Sequence, residues 1–170
     1  MFRWLQQFPH FLEVIYDLFE VSLSPLKRWF KPGGPSEPLV IAVEKLGKGA
    51  VFNCKMCGQC ILHSTGMTCP MNCPKHLRNG PCGGVRQNGH CEVKPEMICV
   101  WVEAYQRSLK MPKYGHQFAS LQPPMNNQLK GSSSWINMFY GLDLELPPGW
   151  VHTKDIPVKL VREDFYANGK

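Results

Sequence analysis

A small, irregular α+β domain stapled by metal is what three features of the sequence predict. All eight cysteines fall between Cys54 and Cys99, 15 glycines and 15 prolines are spread over 170 residues, and an amphipathic stretch lies near the N-terminus. Tight cysteine spacing favours metal ligation, and abundant Gly and Pro favour turns over regular structure. The expected order is an N-terminal amphipathic helix, a cysteine-rich loop core with short helices, and an extended C-terminal tail. A chain of this length suits one modest domain and is marginal for two.

Residues 1–31 read as a helical extension. Within 4–24, Glu13, Asp17 and Glu20 fall on one narrow stripe, and Phe8, Phe11, Leu12, Ile15, Leu18 and Phe19 cover the rest. So broad an apolar surface has to be buried, on the chain's own core or on another protein. A membrane surface is a weaker fit, because the polar stripe is acidic and Lys27, Arg28 and Lys31 come only after it. The same acidic residues, with Pro9, interrupt the apolar run, so neither a signal peptide nor a transmembrane segment is expected. The chain is expected to be cytoplasmic, where thiols at short spacing act as metal ligands rather than disulfides.

Residues 32–45 read as a linker, PGGPSEP, followed by a short strand, LVIAVEK. Residues 46–112 hold the cysteines and a helix from Met97 to Leu109, stopped by Pro112. Cys99 would sit near its N-terminal end, where backbone dipoles favour a thiolate. Trp101 and Tyr105, four apart, share a packing face. Residues 113–170 read as an extended tail anchored by Trp135, Phe139, Tyr140 and Trp150.

The candidate metal ligands are Cys54, Cys57, Cys60, Cys69, Cys73, Cys82, Cys91 and Cys99, enough for two four-sulfur sites. Structural zinc typically takes two separated C-x-x-C pairs. Here one C-x-x-C-x-x-C triple is followed by single cysteines, the spacing of iron–sulfur proteins, in which a further Cys-Pro lies nearby. Both Cys69 and Cys73 precede proline. One or two [4Fe-4S] clusters are therefore expected, with zinc as the alternative. Cys54, Cys57 and Cys60 should share one centre, and Cys69, Cys73 and Cys82 form the natural nucleus of a second.

Gly58, Gly80, Gly83 and Gly84 are candidate cofactor-binding positions, since a residue without Cβ lets backbone N–H groups approach sulfur. Five basic residues (Lys55, Lys75, Arg78, Arg86, Lys94) face two acidic ones (Glu92, Glu96) between 54 and 99, the right sign for an anionic centre. His63, His76 and His90 lie close to cysteines and leave a Cys₃His zinc site open. The C-x-x-C of Cys57 and Cys60 matches a redox-active dithiol, but no βαβ pattern surrounds it. The net charge of +6 is scattered, with no basic run, so no nucleic-acid partner is expected. No nucleophile–base pair or carboxylate pair stands out, and no independent active site is expected.

The run from Cys54 to Leu62 (C-x-x-C-G-x-C-x-L), then TGMTCPMNCPKHLRNGPCGG, then GHCEVKPEMICVWVEAYQR, resembles the methylenetetrahydrofolate reductase C-terminal domain over roughly residues 46–125. The resemblance implies a companion subunit. Its catalytic partner would be a TIM barrel carrying flavin and folate, and the cysteine-rich chain would hold iron–sulfur or zinc. Its task would be to pass electrons from a further donor to the flavin, or to hold the partner in an active form.

Overall fold

The computed structural model describes residues 3–151 and Asp155. Four α-helices carry it: α1 (Pro9–Leu23), α2 (Glu37–Phe52), α3 (Val100–Ser108) and α4 (Ser134–Tyr140), joined by 3-10 turns and loops. Among the described residues there is no strand. Two isolated bridges, Val85 with Cys91 and His90 with Ile98, are all that the expected β component amounts to. The strand expected at 39–45 is the first half of α2. Pro38 at its first turn and Glu37 ahead of it suit a helix start, and Asn53 in the left-handed region ends it.

α1 forms where it was expected but turns the opposite way. Its acidic residues face the protein. Glu13 is 2% exposed and its carboxylate accepts the backbone N–H groups of Lys113 (3.0 Å) and Tyr114 (2.7 Å). Asp17 accepts from the Tyr114 hydroxyl and the Lys113 ammonium, at 2.7 and 2.8 Å. Of the apolar set only Leu12 is buried, while Phe8, Phe11, Leu18 and Phe19 are all more than half exposed, as are Val14 and Val21. α2 repeats the inversion, with Glu44 buried and Leu39, Val43 and Leu46 outward. No described helix is long and apolar enough to cross a membrane.

Two small cores replace a single large one, and thiols sit in both. Leu12, Leu62, Met67, Cys69, Met71 and Met111 form the first, with Cys57 and Cys60 packed against it. Cys73, Cys99, Val100 and Trp101 form the second. α3 starts at Val100, with Cys99 as its N-cap, three residues later than expected. The reason is local: Cys91 N–H bonds to the Met97 carbonyl and Cys99 N–H to that of Gly89, so residues 97–99 are committed to a ladder. Trp101 and Tyr105 do share a partner, Phe118, at 6.1 and 5.6 Å.

The region expected to be an extended tail folds back over the molecule as far as residue 151. Trp135 on α4 stacks on Tyr16 of α1 at 5.1 Å and lies under the Lys48 ammonium at 5.0 Å. Trp150 stays exposed, and residues 152–154 and 156–170 of the expected tail lie outside the described residues.

Removing the Glu13 carboxylate leaves two partly buried N–H groups without their acceptor, each at the lower end of the roughly 1–3 kcal/mol such a loss costs. Glu13→Ala should therefore lower the free energy of unfolding by roughly 2–4 kcal/mol, read from denaturant titration. Phe11→Ala on the outward face should stay within about 0.5 kcal/mol of wild type; a larger loss would mean that this face is covered within the chain. Burial raises the Asp17 carboxyl pKa, but the hydrogen bonds from Lys113 and Tyr114 outweigh it and hold the group below its ordinary 3.8. A depressed folded pKa stabilises above the unfolded value and is lost as pH falls through the folded one. Asp17→Asn should flatten the acid limb of the stability profile below about pH 4.

Candidate metal centre

The triple lies in the loop that leaves α2. Met56 and Gly58, both with positive φ, turn the backbone between the cysteines so that the thiols fall on one side. Gly58 has a second reason to be glycine: a Cβ there would run into the backbone carbonyl of Leu129. Residues 126–137 strap this loop down. Gly131 N–H bonds to the Met56 carbonyl, and Asn137 donates to the carbonyl of Gly58, both at 2.8 Å. Gln59 is fully buried, donates to the Asp143 carbonyl and accepts from Asn126 N–H. Its position between two thiols holds the triple rigid, a role that sequence reading missed.

Cys54, Cys57 and Cys60 line one cleft, and its fourth thiol is Cys69. Cys69 thus stands beside the triple, while Cys73 packs in the second core and Cys82 is exposed. The cleft encloses about 20 Å³, and its other walls include Phe52, Ile61, Leu62, Pro70 and Met71. Apolar burial, with repulsion from Cys60, pushes the Cys54 thiol up to about 11, and burial with repulsion from Cys60 and Cys54 pushes Cys69 up to about 12. Thiols so placed hold their protons until a cation displaces them. Among the described residues no three His, Cys, Asp or Glu side chains converge tightly enough to ligate a single ion.

Two buried cations accompany the four thiols. Arg78 is 8% exposed and donates to the carbonyls of Gln59 and Pro123, at 2.8 Å each. Its charge bears on Cys57 and Cys60, and no salt bridge to it occurs among the described residues. Lys48 comes from α2 and pairs with Glu44 at 2.7 Å. Burial works against its charge, but Cys60, Glu44 and Cys54 more than restore it, so the ammonium titrates above the ordinary lysine range. Glu44 in turn accepts from Ser133 Oγ and Ser134 N–H at the start of α4. A buried cation needs nearby negative charge. Two cations thus stand near two carboxylates, Glu44 and Asp143, and near the thiols, so positive charge is at hand for the thiolates that a metal centre would require. Arg78 was legible in the sequence only as one basic residue of five, and Lys48 lay outside the stretch counted.

The remaining cysteines are less closely gathered. Cys73 and Cys99 share the second core. In the ladder, His90 pairs with Ile98, so Cys91 and Cys99 fall on the opposite, inner face, diagonal to one another. Such neighbours lie roughly 7–8 Å apart, too far for a disulfide, and all eight cysteines are free thiols. Cys82 is exposed on a turn facing Glu92, which pairs with Lys75. Gly84 N–H donates to Cys82 Sγ at 3.4 Å. Gly80 is required instead by the Trp101 ring packed on it, and Gly83 is in the left-handed region with open space around it. None of the three histidines lines the thiol cleft. His63 stacks between Tyr16 and Tyr114, His90 bonds to the Pro95 carbonyl, and His76 is exposed.

The fold and site together define a small helical, cysteine-rich domain built around a thiol-lined cleft. The chain belongs to the methylene-tetrahydrofolate reductase C-terminal family, whose model matches residues 35–128. No curated protein and no solved structure matches it.

Cys69→Ser should remove the metal held with Cys54, Cys57 and Cys60, whereas Cys82→Ser should leave that centre intact. Metal per chain, measured alongside the elution volume of the folded protein, checks this. Equal loss in both variants would return Cys69 to the second set.

Proposed function

We propose that this chain is the electron-transfer accessory subunit of a flavin-dependent methylenetetrahydrofolate reductase, with one or two [4Fe-4S] centres held by its cysteines. The observation that carries the reading is the cleft in which Cys54, Cys57, Cys60 and Cys69 stand beside two buried cations. When bound, such a cluster supplies one-electron transfer. The chain's own residues do the rest. Arg78 and Lys48 offset the negative charge that four thiolates bring, the Phe52, Leu62 and Met71 walls exclude water, and Gln59 fixes the loop. The C-x-x-C-x-x-C spacing of Cys54, Cys57 and Cys60 supports a multi-atom cluster over one tetrahedral ion. Zinc in the same thiols, giving a structural subunit that carries no electrons, is the competing assignment.

In this reading flavin and folate sit on a catalytic partner, the reductase whose name the family carries. The outward faces of α1 and α2 supply its docking surface. They expose Phe8, Phe11, Leu18, Phe19, Leu39 and Val43, while Glu13 of α1 and Glu44 of α2 point inward. A surface so apolar on so small a chain is the mark of an interface.

Anaerobically purified protein should be brown, with broad absorption near ~400 nm and roughly four irons per centre. Colourless protein with stoichiometric zinc would decide for the structural assignment. Phe11→Glu with Leu18→Glu should weaken association with the catalytic subunit about tenfold or more without changing metal content. Unchanged association would take α1 out of the interface.

A further inference from the structure

Charge is sorted by sign over the outward side of α1 and α2. Five carboxylates lie between residues 4 and 53, those of Glu13, Asp17, Glu20, Glu37 and Glu44, and none of these residues is exposed. Glu13 and Glu44 are buried, and Asp17 is held by Lys113 and Tyr114. Glu20 lines a cleft together with Tyr16 and His63. Glu37 accepts the backbone N–H of Gly33 at 2.6 Å.

The basic residues do the reverse. Lys27, Arg28 and Lys31 are all exposed in the corner that leads from α1 to α2, and Lys45 is exposed beside Leu46 on α2. No salt bridge to any of the four occurs among the described residues. Trp29 stands in the same corner, 79% exposed. The corner is tied down through its backbone: the Tyr140 hydroxyl donates to the Lys27 carbonyl, and the Ser36 hydroxyl donates to that of Trp29.

Water solvates carboxylates and ammonium groups alike, so solvent does not account for this sorting. An apolar face bearing one sign of charge matches an apolar surface bearing the other. The layout also separates a protein from a bilayer. A helix lying in a lipid surface carries Lys and Arg along its own polar face, whereas the polar face of α1 is acidic and turned into the protein. Three of the four cations share one corner, which suits a local cluster of anions better than a uniform sheet of headgroups.

We infer, resting on the docking face proposed above, that the catalytic partner meets Lys27, Arg28 and Lys31 with a cluster of carboxylates at the edge of its apolar contact. The apolar side chains hold the complex together. The basic corner draws the two chains together and fixes the orientation in which they dock.

The test is the rate at which the intact chain associates with the separately purified flavin-dependent subunit, at about 20 mM and about 500 mM salt, between which screening shortens severalfold. Reversing the corner with Lys27→Glu, Arg28→Glu and Lys31→Glu should slow association about tenfold or more at low salt. Dissociation should change less than about threefold, and the difference in association should shrink at high salt. Lys94→Glu, Lys110→Glu and Lys130→Glu make the same change of net charge at exposed lysines elsewhere and should slow association far less. Should the reversed corner fail to fold, Gln at the same three positions removes the charge alone and should still slow association. Equal slowing by both triple variants, or association indifferent to salt, would overturn the inference and leave the docking face standing. No association of the wild-type chain at all would overturn the docking face itself. Sedimentation of the wild-type chain, but not of the reversed corner, with vesicles of equal phosphatidylglycerol and phosphatidylcholine would give the corner to lipid and overturn the inference as well.

Discussion

Two carboxylates turned inward hold this molecule together. Glu13 on α1 caps the backbone of Lys113 and Tyr114, and Glu44 on α2 meets the first turn of α4 through Ser133 and Ser134. Each fixes a helix to a segment about 90–100 residues away in sequence, with charge-assisted hydrogen bonds that are stronger than neutral ones. The apolar clusters are small and much of their content is sulfur, from Met67, Met71, Met111 and Cys69. In such a molecule polar anchoring does the work that a larger chain assigns to its apolar core.

Those anchors also explain how the thiol cleft is built. Glu44 brings Lys48 into the interior and places α4 over the loop of the triple. From α4, Asn137 reaches down to the carbonyl of Gly58. Arg78 reaches the carbonyl of Gln59 on that same loop. The backbone around the sulfurs is thus fixed by hydrogen bonds from three separate parts of the chain, and this is the rigidity that preorganises ligands.

The eight cysteines, the short spacing of the triple and the family resemblance were all legible in the sequence, because they depend on residue identity alone. The direction in which each helix faces was not. Periodicity places Glu13, Asp17 and Glu20 on one stripe, and it does so equally well whichever side is buried. What decided the matter was a pair of backbone N–H groups 100 residues on. LVIAVEK reads as a strand because its β-branched residues are dense, yet the Glu44–Lys48 spacing across its end is that of a helix. That Cys69 lines the cleft of the triple was not legible either, since its nearest cysteine in sequence is Cys73. Gln59 gave no signal at all, being one polar residue in a polar loop.

The outward grease of α1 also has a consequence before any assembly exists. A nascent chain that finishes folding alone displays Phe11, Leu18 and Phe19 to every other copy of itself. Self-adhesion through such patches rises with concentration. Copies of the polypeptide that keep this face bare are therefore prone to aggregate.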